Sequence, residues 1–409
     1  MKILHTSDWH IGQRLHNNDR EEEHRMFFDW LKQTVITQNI DVLLVCGDIF
    51  DIGFPANSVL KIYYSFLTSL IATNCRQVII TGGNHDSVST LDAPKEILKF
   101  INVTVIGGAT DDPAAEIIEI RDETGKTAAV VCAVPYLREK NLRKSIAGES
   151  FDDRERSIRE GILNHYLQLS DLTKTHQNSG IPVIAAGHLY VQGAVISESE
   201  RGIYVGNQAG VSISAFPTGF GYFALGHLHR AQQVGSSPPA HYSGSPLMLS
   251  FSEKHDKKRV NILEISDGKI LVTDIKIPAF RKLISIKGSL AEAKEKLASL
   301  NPESQLCDWI DLDVEEPVHD PLLMRLYDDF VEDFNTKNDH FKIVKNMLRF
   351  ADRKQLDTFS ADSGLTLSDF NEVEVFEKLL DQEGIFERED LISCFNQLLQ
   401  MVHSTEKQD

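Results

Sequence analysis

Two periods of apolar residues alternate along the first 110 positions. Lys2–Thr6, Val42–Cys46, Gln77–Thr81 and Val103–Ile106 are short apolar runs of strand length, rich in β-branched residues. Between them, Glu21–Gln38 sets Met26, Phe27, Trp30, Leu31, Val35 and Ile36 at helical spacing, and Ser58–Thr73 reads as a second helix. This alternation predicts buried strands covered by helices. Further on, residues 116–134 predict a hairpin with its turn near Glu123–Lys126, and Arg154–Leu169 a helix. Pro182–Ala186 and Tyr222–Leu225 are buried strands, each followed by Gly-His. Tyr242, Val260–Ile265 and Lys269–Ile275 complete a β-rich end.

The texture changes after Pro278. Leu283–Ile286, Ser289–Leu300, Trp309–Val314, Pro321–Phe334 and Phe341–Phe350 predict a β-α-β-α-β unit. Residues 351–368 are polar and loop-like, and two amphipathic helices separated at Gly384 follow. Two helices of that size do not bury both apolar faces by themselves. Phe376, Leu379, Leu380, Phe395, Leu398 and Leu399 are therefore the candidate partner-binding residues. The expected division is 1–280, 281–350 and 351–409.

Composition narrows the classes. A 42% apolar and 25% charged chain of 409 residues can bury a large core. No apolar run reaches membrane-spanning length, and Met1–His5 leads straight into a strand without a signal-peptide layout. Five cysteines without a Cys-x-x-Cys spacing suggest reduced thiols, and with them a cytoplasmic location. The net charge of −18 is concentrated after position 280, where 15 Lys+Arg face 28 Asp+Glu. An acidic chain is a poor solitary binder of nucleic acid, so metal ions and a partner would have to supply much of the positive field for a DNA substrate.

The candidate chemistry sits at the strand ends. Asp8-Trp9-His10, Gly47-Asp48-x-x-Asp51, Gly83-Asn84-His85-Asp86, Gly187-His188 and Gly226-His227-x-His229 nearly all follow a buried-strand pattern directly. Taken singly, each is ordinary turn chemistry. Together and in this order they read as a two-metal phosphoesterase, which needs a bridging carboxylate, further carboxylate and imidazole ligands, and a neutral amide. Asp48 suits the bridge and Asn84 the amide, while His85 is free for proton transfer. Asp86 is expected to orient His85 or to stabilise its turn, and Asp51 to orient a ligand or cap a turn. Mixed oxygen and nitrogen ligands favour Mn2+ or Mg2+ over thiolate-seeking metals. No P-loop is present, so the chain is not read as an ATPase.

These motifs resemble the calcineurin-like metallophosphoesterase superfamily. The strings Lys2 to Gly12, Arg20 to His24, Gly47 to Asp51, Gly83 to Ser87, Ala224 to Arg230 and Tyr242 to Pro246 resemble the SbcD family, the nuclease subunit of the bacterial SbcCD complex. The resemblance implies an αββα sandwich with a capping domain and a C-terminal helix pair that docks an SbcC-like ATPase. It implies one metal held by Asp8, His10, Asp48 and His229, a second held by Asp48, Asn84, His188 and His227, and His85 as general acid. It also implies Mn2+-dependent endonuclease and 3′→5′ exonuclease action on DNA ends and hairpins, in a heterotetramer containing a homodimer of this chain. Archaeal and eukaryotic relatives usually carry a histidine where this chain has Asp51, so that histidine's role in steering substrate does not carry over to this chain. Two other readings remain: a phosphatase or phosphodiesterase for small substrates, and a non-catalytic scaffold.

Overall fold

The computed structural model describes residues 1–144, 148–197, 210–351, 376, 380, 391, 392, 394 and 395. Two six-stranded sheets form its centre. In the first, β1 (Lys2–Thr6), β2 (Val42–Cys46), β3 (Gln77–Thr81) and β4 (Val103–Ile106) run parallel. The antiparallel pair β11 (Arg259–Ser266) and β12 (Lys269–Lys276) extends it beyond β1. The second sheet has the order β5 (Ile117–Arg121), β6 (Thr127–Cys132), β7 (Val183–His188), β8 (Tyr222–Gly226), β10 (Pro239–Tyr242) and β9 (Gln232–Ser236). The short strand β9 escapes the sequence pattern because Gln232–Ser236 carries one apolar side chain, Val234.

Each sheet buries both faces, which is why its central strands are continuously apolar. Ile3, Val42, Leu44 and Ile79 meet Val131, Ile184, Ala186 and Ala224 in the core shared by the two sheets. On its outer face the first sheet packs against α1 (Glu21–Thr37) and α2 (Asn57–Ser69), through Phe27, Leu31, Val35, Ile62 and Phe66. Across the second sheet lies α3 (Phe151–Leu172), which inserts Ile158, Ile162, Tyr166 and Leu169. The architecture is therefore the αββα sandwich. Trp9 belongs to the first outer core, edge-on to Phe27, Phe28 and Phe66. His5 is a core residue beside the Tyr222 hydroxyl, at 3.2 Å.

A third sheet has the order β13 (Leu283–Gly288), β14 (Asp308–Glu316) and β15 (Phe341–Phe350), with α4 (Leu290–Ala298) and α5 (Pro321–Lys337) between its strands in sequence. The chain falls into two compact units, one of 1–286, 296–312 and 330–346, the other of 287–295, 313–329 and the described residues from 347 onward. Within the first unit, Leu15, Met248, Phe251, Leu283 and Trp309 form a small core, and the Arg281 guanidinium lies 4.1 Å from the Trp309 ring centre. Asp311 pairs with Lys345 at 3.0 Å. In the second unit, Asp313 pairs with Arg349.

Of the six apolar residues expected to dock a partner, Phe376, Leu380 and Phe395 are described; Leu379, Leu398 and Leu399 lie outside the described residues. The Phe376 and Phe395 rings stack on each other, centres 4.1 Å apart, and Leu380 is buried. At least part of both apolar stripes is thus used between the two segments.

Candidate metal centre

Five strands deliver the expected ligands from their carboxyl ends. Asp8 and His10 follow β1, Asp48 follows β2 and Asn84 follows β3. His188 ends β7, and His227 and His229 follow β8. His188 pairs in register with Gly226, so His227 emerges beside it. The loops after β1 and β2 stay tied together beyond the strands: Asp8 N–H donates to the Gly47 carbonyl at 3.0 Å, and His10 N–H to that of Asp48 at 3.0 Å.

The backbone there is unusual. Asp8, His10, Asp48 and His227 have φ of 51°, 44°, 48° and 99°, four of the nine non-glycine positive-φ residues among those described. Left-handed backbone at such residues costs of order 1–3 kcal/mol each and clusters at functional sites. Glycines permit the crowding. A Cβ at Gly83 would collide with Asp48, at Gly47 with His188, and at Gly226 with the Cys46 carbonyl.

Three groups of donors result, and two of them share Asp48: Asp8, His10 and Asp48 in one, Asp48, His188 and His227 in the other; His10, Asp51 and His85 form the third. Asp48 divides its carboxylate. Oδ1 accepts the His85 N–H at 2.9 Å, while Oδ2 lies 3.6 Å from His10 Nε2 and 3.2 Å from His188 Nε2. Asp8 Oδ1 accepts the His227 N–H at 2.8 Å, and its Oδ2 accepts from Ser7 Oγ. The His229 ring stands 5.0 Å from that of His10.

The donor set suits cations. Asp8 and Asp48 are fully buried, and among the described residues neither contacts a lysine or arginine. Such carboxylates cost several kcal/mol unless a proton or metal ion compensates. His188 Nδ1–H donates to the Cys46 carbonyl at 3.0 Å, which turns the Nε2 lone pair of the neutral ring inward. Nε2 lies 2.9 Å from Asn84 Oδ1, and His227 Nδ1 lies 2.9 Å from the same oxygen. The amide thus turns its oxygen toward both imidazoles, the orientation that a cation between them requires.

The titration behaviour agrees. Burial pushes the Asp8 carboxyl up. It also pushes Asp48 up, but His188, with His10 and His85, holds that carboxyl well below the usual range. Burial disfavours the charged forms of His10 and His188, yet Asp51 and Asp48 around the first, and Asp48 and Asp8 around the second, hold both at about 9. Without metal, protons occupy these rings; binding a cation must displace them. His227 goes the other way, to about 3, through burial and the neighbouring His188.

His85 sits beside this cluster, its ring 4.8 Å from that of His10. Its Nδ1–H donates to the Asp51 backbone carbonyl at 2.8 Å, which leaves Nε2 as the atom that takes up or releases a proton. The Asp51 carboxylate meets His10 Nδ1 at 3.3 Å. Among the described residues, the Asp86 carboxylate makes no hydrogen bond to His85. It accepts the backbone N–H groups of Gly83 at 2.8 Å, Phe50 at 3.0 Å and Ile49 at 3.1 Å, pinning the two loops that carry Asp48 and Asn84.

Sequence reasoning missed Glu253 and Lys258. Glu253 Oε1 lies 3.6 Å from His229 Nδ1, and Oε2 accepts from Lys258 Nζ at 2.6 Å. The other Lys258 donors reach the His229 carbonyl at 3.0 Å and Ser245 Oγ at 2.8 Å. The run from Glu253 to Lys258 contains no hydrophobic residue and reads as a solvated loop; only the tertiary fold buries its two ends.

Residues 1–231 match the family described as calcineurin-like phosphoesterase, and residues 279–384 the one described as type 5 capsule protein repressor C-terminal domain. The SbcD subunit of the nuclease SbcCD from Escherichia coli (strain K12) is 37% identical over 78% of this chain and 80% of its own length. Its counterpart from Rhodobacter capsulatus is 34% identical over 66% and 67%, respectively. The one from Bacillus subtilis (strain 168) is 30% identical over 76% and 81%.

Proposed function

From the premise that the chain belongs to the SbcD family of nuclease subunits, within the calcineurin-like phosphoesterases, and is a metal-dependent nuclease, we propose that it cleaves DNA ends and hairpins, as an endonuclease and 3′→5′ exonuclease. It works with an SbcC-like ATPase in the cytoplasm, in DNA repair and recombination. The observation that carries this reading is the pair of buried donor groups sharing Asp48. One ion is assigned to Asp8, His10, Asp48 and His229, the other to Asp48, Asn84, His188 and His227. Oxygen and imidazole donors without thiolate favour Mn2+, with Mg2+ as the alternative. Two such ions, when bound, supply an activated water and neutralise charge on the phosphorus oxygens.

The chain's own residues do the rest. Asp48 turns one oxygen toward both donor groups and fixes the other on the His85 amide. Asp51 holds His85 by its Nδ1–H, so that Nε2 carries the proton to the leaving 3′-oxygen. Asp86 keeps the Asp48 and Asn84 loops in register with one another.

Residues 1–280 are assigned as the nuclease domain, 281–350 as a capping domain, and 351–409 as a linker with partner-docking helices. The active assembly is assigned as a homodimer of this chain inside a heterotetramer. Among the described residues, no helix is long and apolar enough to cross a membrane. The test is cleavage of hairpin DNA with Mn2+, with and without the ATPase and ATP, by the full chain and by a chain lacking 369–409. The shortened chain is expected to keep metal-dependent cleavage, lose its response to ATP and no longer co-purify with the ATPase. Absence of DNA cleavage by a chain loaded with two metal ions would overturn the nuclease assignment.

A further inference from the structure

The segment leaving Asp51 carries two apolar side chains that the fold does not cover. Ile52 is 60% exposed and Phe54 83% exposed. Neither hangs on a loose loop. Asp51 is bound on one side to His10 through its carboxylate and on the other to His85 through its carbonyl. The Gly53 carbonyl accepts from Thr90 Oγ1 at 2.9 Å. Pro55 then fixes the backbone, and α2 begins at Asn57. Three residues of chain span at most about 10 Å, so the Phe54 backbone lies within that distance of Asp51 at the edge of the metal centre. Holding a phenyl ring in water forfeits roughly 1.5–3 kcal/mol of burial, and nothing among the described residues recovers it.

Resting on the assignment of DNA as substrate, we propose that Phe54, flanked by Ile52, is a stacking platform for an unpaired base beside the scissile phosphate. Hairpin loops and frayed ends offer such bases; paired duplex does not. A flat aromatic face accepts any base, so the platform selects for unpaired structure rather than for sequence. It also supplies affinity that does not depend on positive charge, in a chain with a net charge of −18.

The test uses the full chain loaded with Mn2+, with Phe54→Ala and Phe54→Tyr beside wild type. Two hairpins are compared, one complete and one with an abasic nucleotide at the cleavage position. Base stacking of the usual strength predicts that Phe54→Ala raises KM for the complete hairpin about 5- to 150-fold. Phe54→Tyr is expected to stay within about threefold of wild type. On the abasic hairpin, Phe54→Ala and wild type are expected to coincide, because the stacking partner is gone. An equal loss on both hairpins overturns the platform, and so does no loss on either. Normal cleavage by Phe54→Ala combined with weaker capture of the ATPase also overturns it and assigns the surface to protein contact. A wild-type chain that cleaves no DNA overturns the nuclease assignment and the platform with it; cleavage by wild type matched by Phe54→Ala overturns the platform alone.

Discussion

Replacing Lys258 with methionine isolates the buried ion pair behind His229. The substitution keeps the length and most of the volume of the side chain, so cavity formation contributes little. It removes three hydrogen bonds, to Glu253 Oε2, Ser245 Oγ and the His229 carbonyl. It also leaves the Glu253 carboxylate fully buried without its cation. Breaking a buried pair from one side costs about 3–5 kcal/mol. At about 2–4 °C per kcal/mol for domains of this size, Tm should fall by roughly 6–20 °C. The Glu253 carboxyl is held well below its ordinary value because Lys258 and His229 outweigh the opposing effect of burial. A depressed carboxylate contributes stability that is present above the unfolded value of 4.5 and lost as pH falls. The gap between wild type and variant should therefore narrow below about pH 4.5. Adding Glu253→Gln removes the stranded charge and should restore at least half of the loss. Calorimetry of the metal-free protein across this pH range is the assay. A loss below about 1 kcal/mol for Lys258→Met, or strictly additive losses in the double variant, would refute the reasoning.

Other outcomes follow from the same centre. Asp48→Ala should lose both metal ions and all hydrolysis, since one carboxylate serves both donor groups; two bound Mn2+ per chain by elemental analysis would contradict the shared role. His85→Ala should keep both ions and lose about 10²–10⁴ in rate; near-normal turnover in a fully loaded variant would remove His85 from proton transfer. Burial, aided by His241, pushes His5 down to about 3, so its neutral ring contributes stability that is present above 6.5 and is lost as pH falls toward 3. Acid unfolding monitored by circular dichroism should be shallower over that range for His5→Gln, and an unchanged slope would show that His5 does not set it.

The strands were legible because central strands buried on both faces are continuous apolar runs, as at Val42–Cys46 and Tyr222–Leu225. The candidate ligands were legible because each stands at such a run's end. The supporting groups were not. Asp86 reads as part of a turn, and only the approach of the β2 and β3 loops shows that it holds three backbone amides. Glu253 and Lys258 belong to a polar run whose burial depends on residues far away in sequence. The left-handed backbone at Asp8, His10, Asp48 and His227 carries no local signature either, since no glycine marks those positions.

The order in which the strands are synthesised also has a consequence. The donors begin at Asp8 and end at His229, and those of the second group come from both sheets, with Asp48 and Asn84 on the first and His188 and His227 on the second. During synthesis, a chain that has emerged only through β4 already holds Asp8, His10, Asp48, Asn84 and His85, but it lacks every donor from the second sheet. Domains fold as units while the chain is made, at about 5–20 residues per second. The interval between emergence of Asn84 and of His229 is therefore about 7–30 seconds. Through that interval a nascent chain carries the donors that follow β1, β2 and β3 and none of those that end β7 or follow β8. Dividing the donors between two sheets ties the complete donor set to the packing of one sheet on the other, so assembly of the centre is a late event in the folding of this chain.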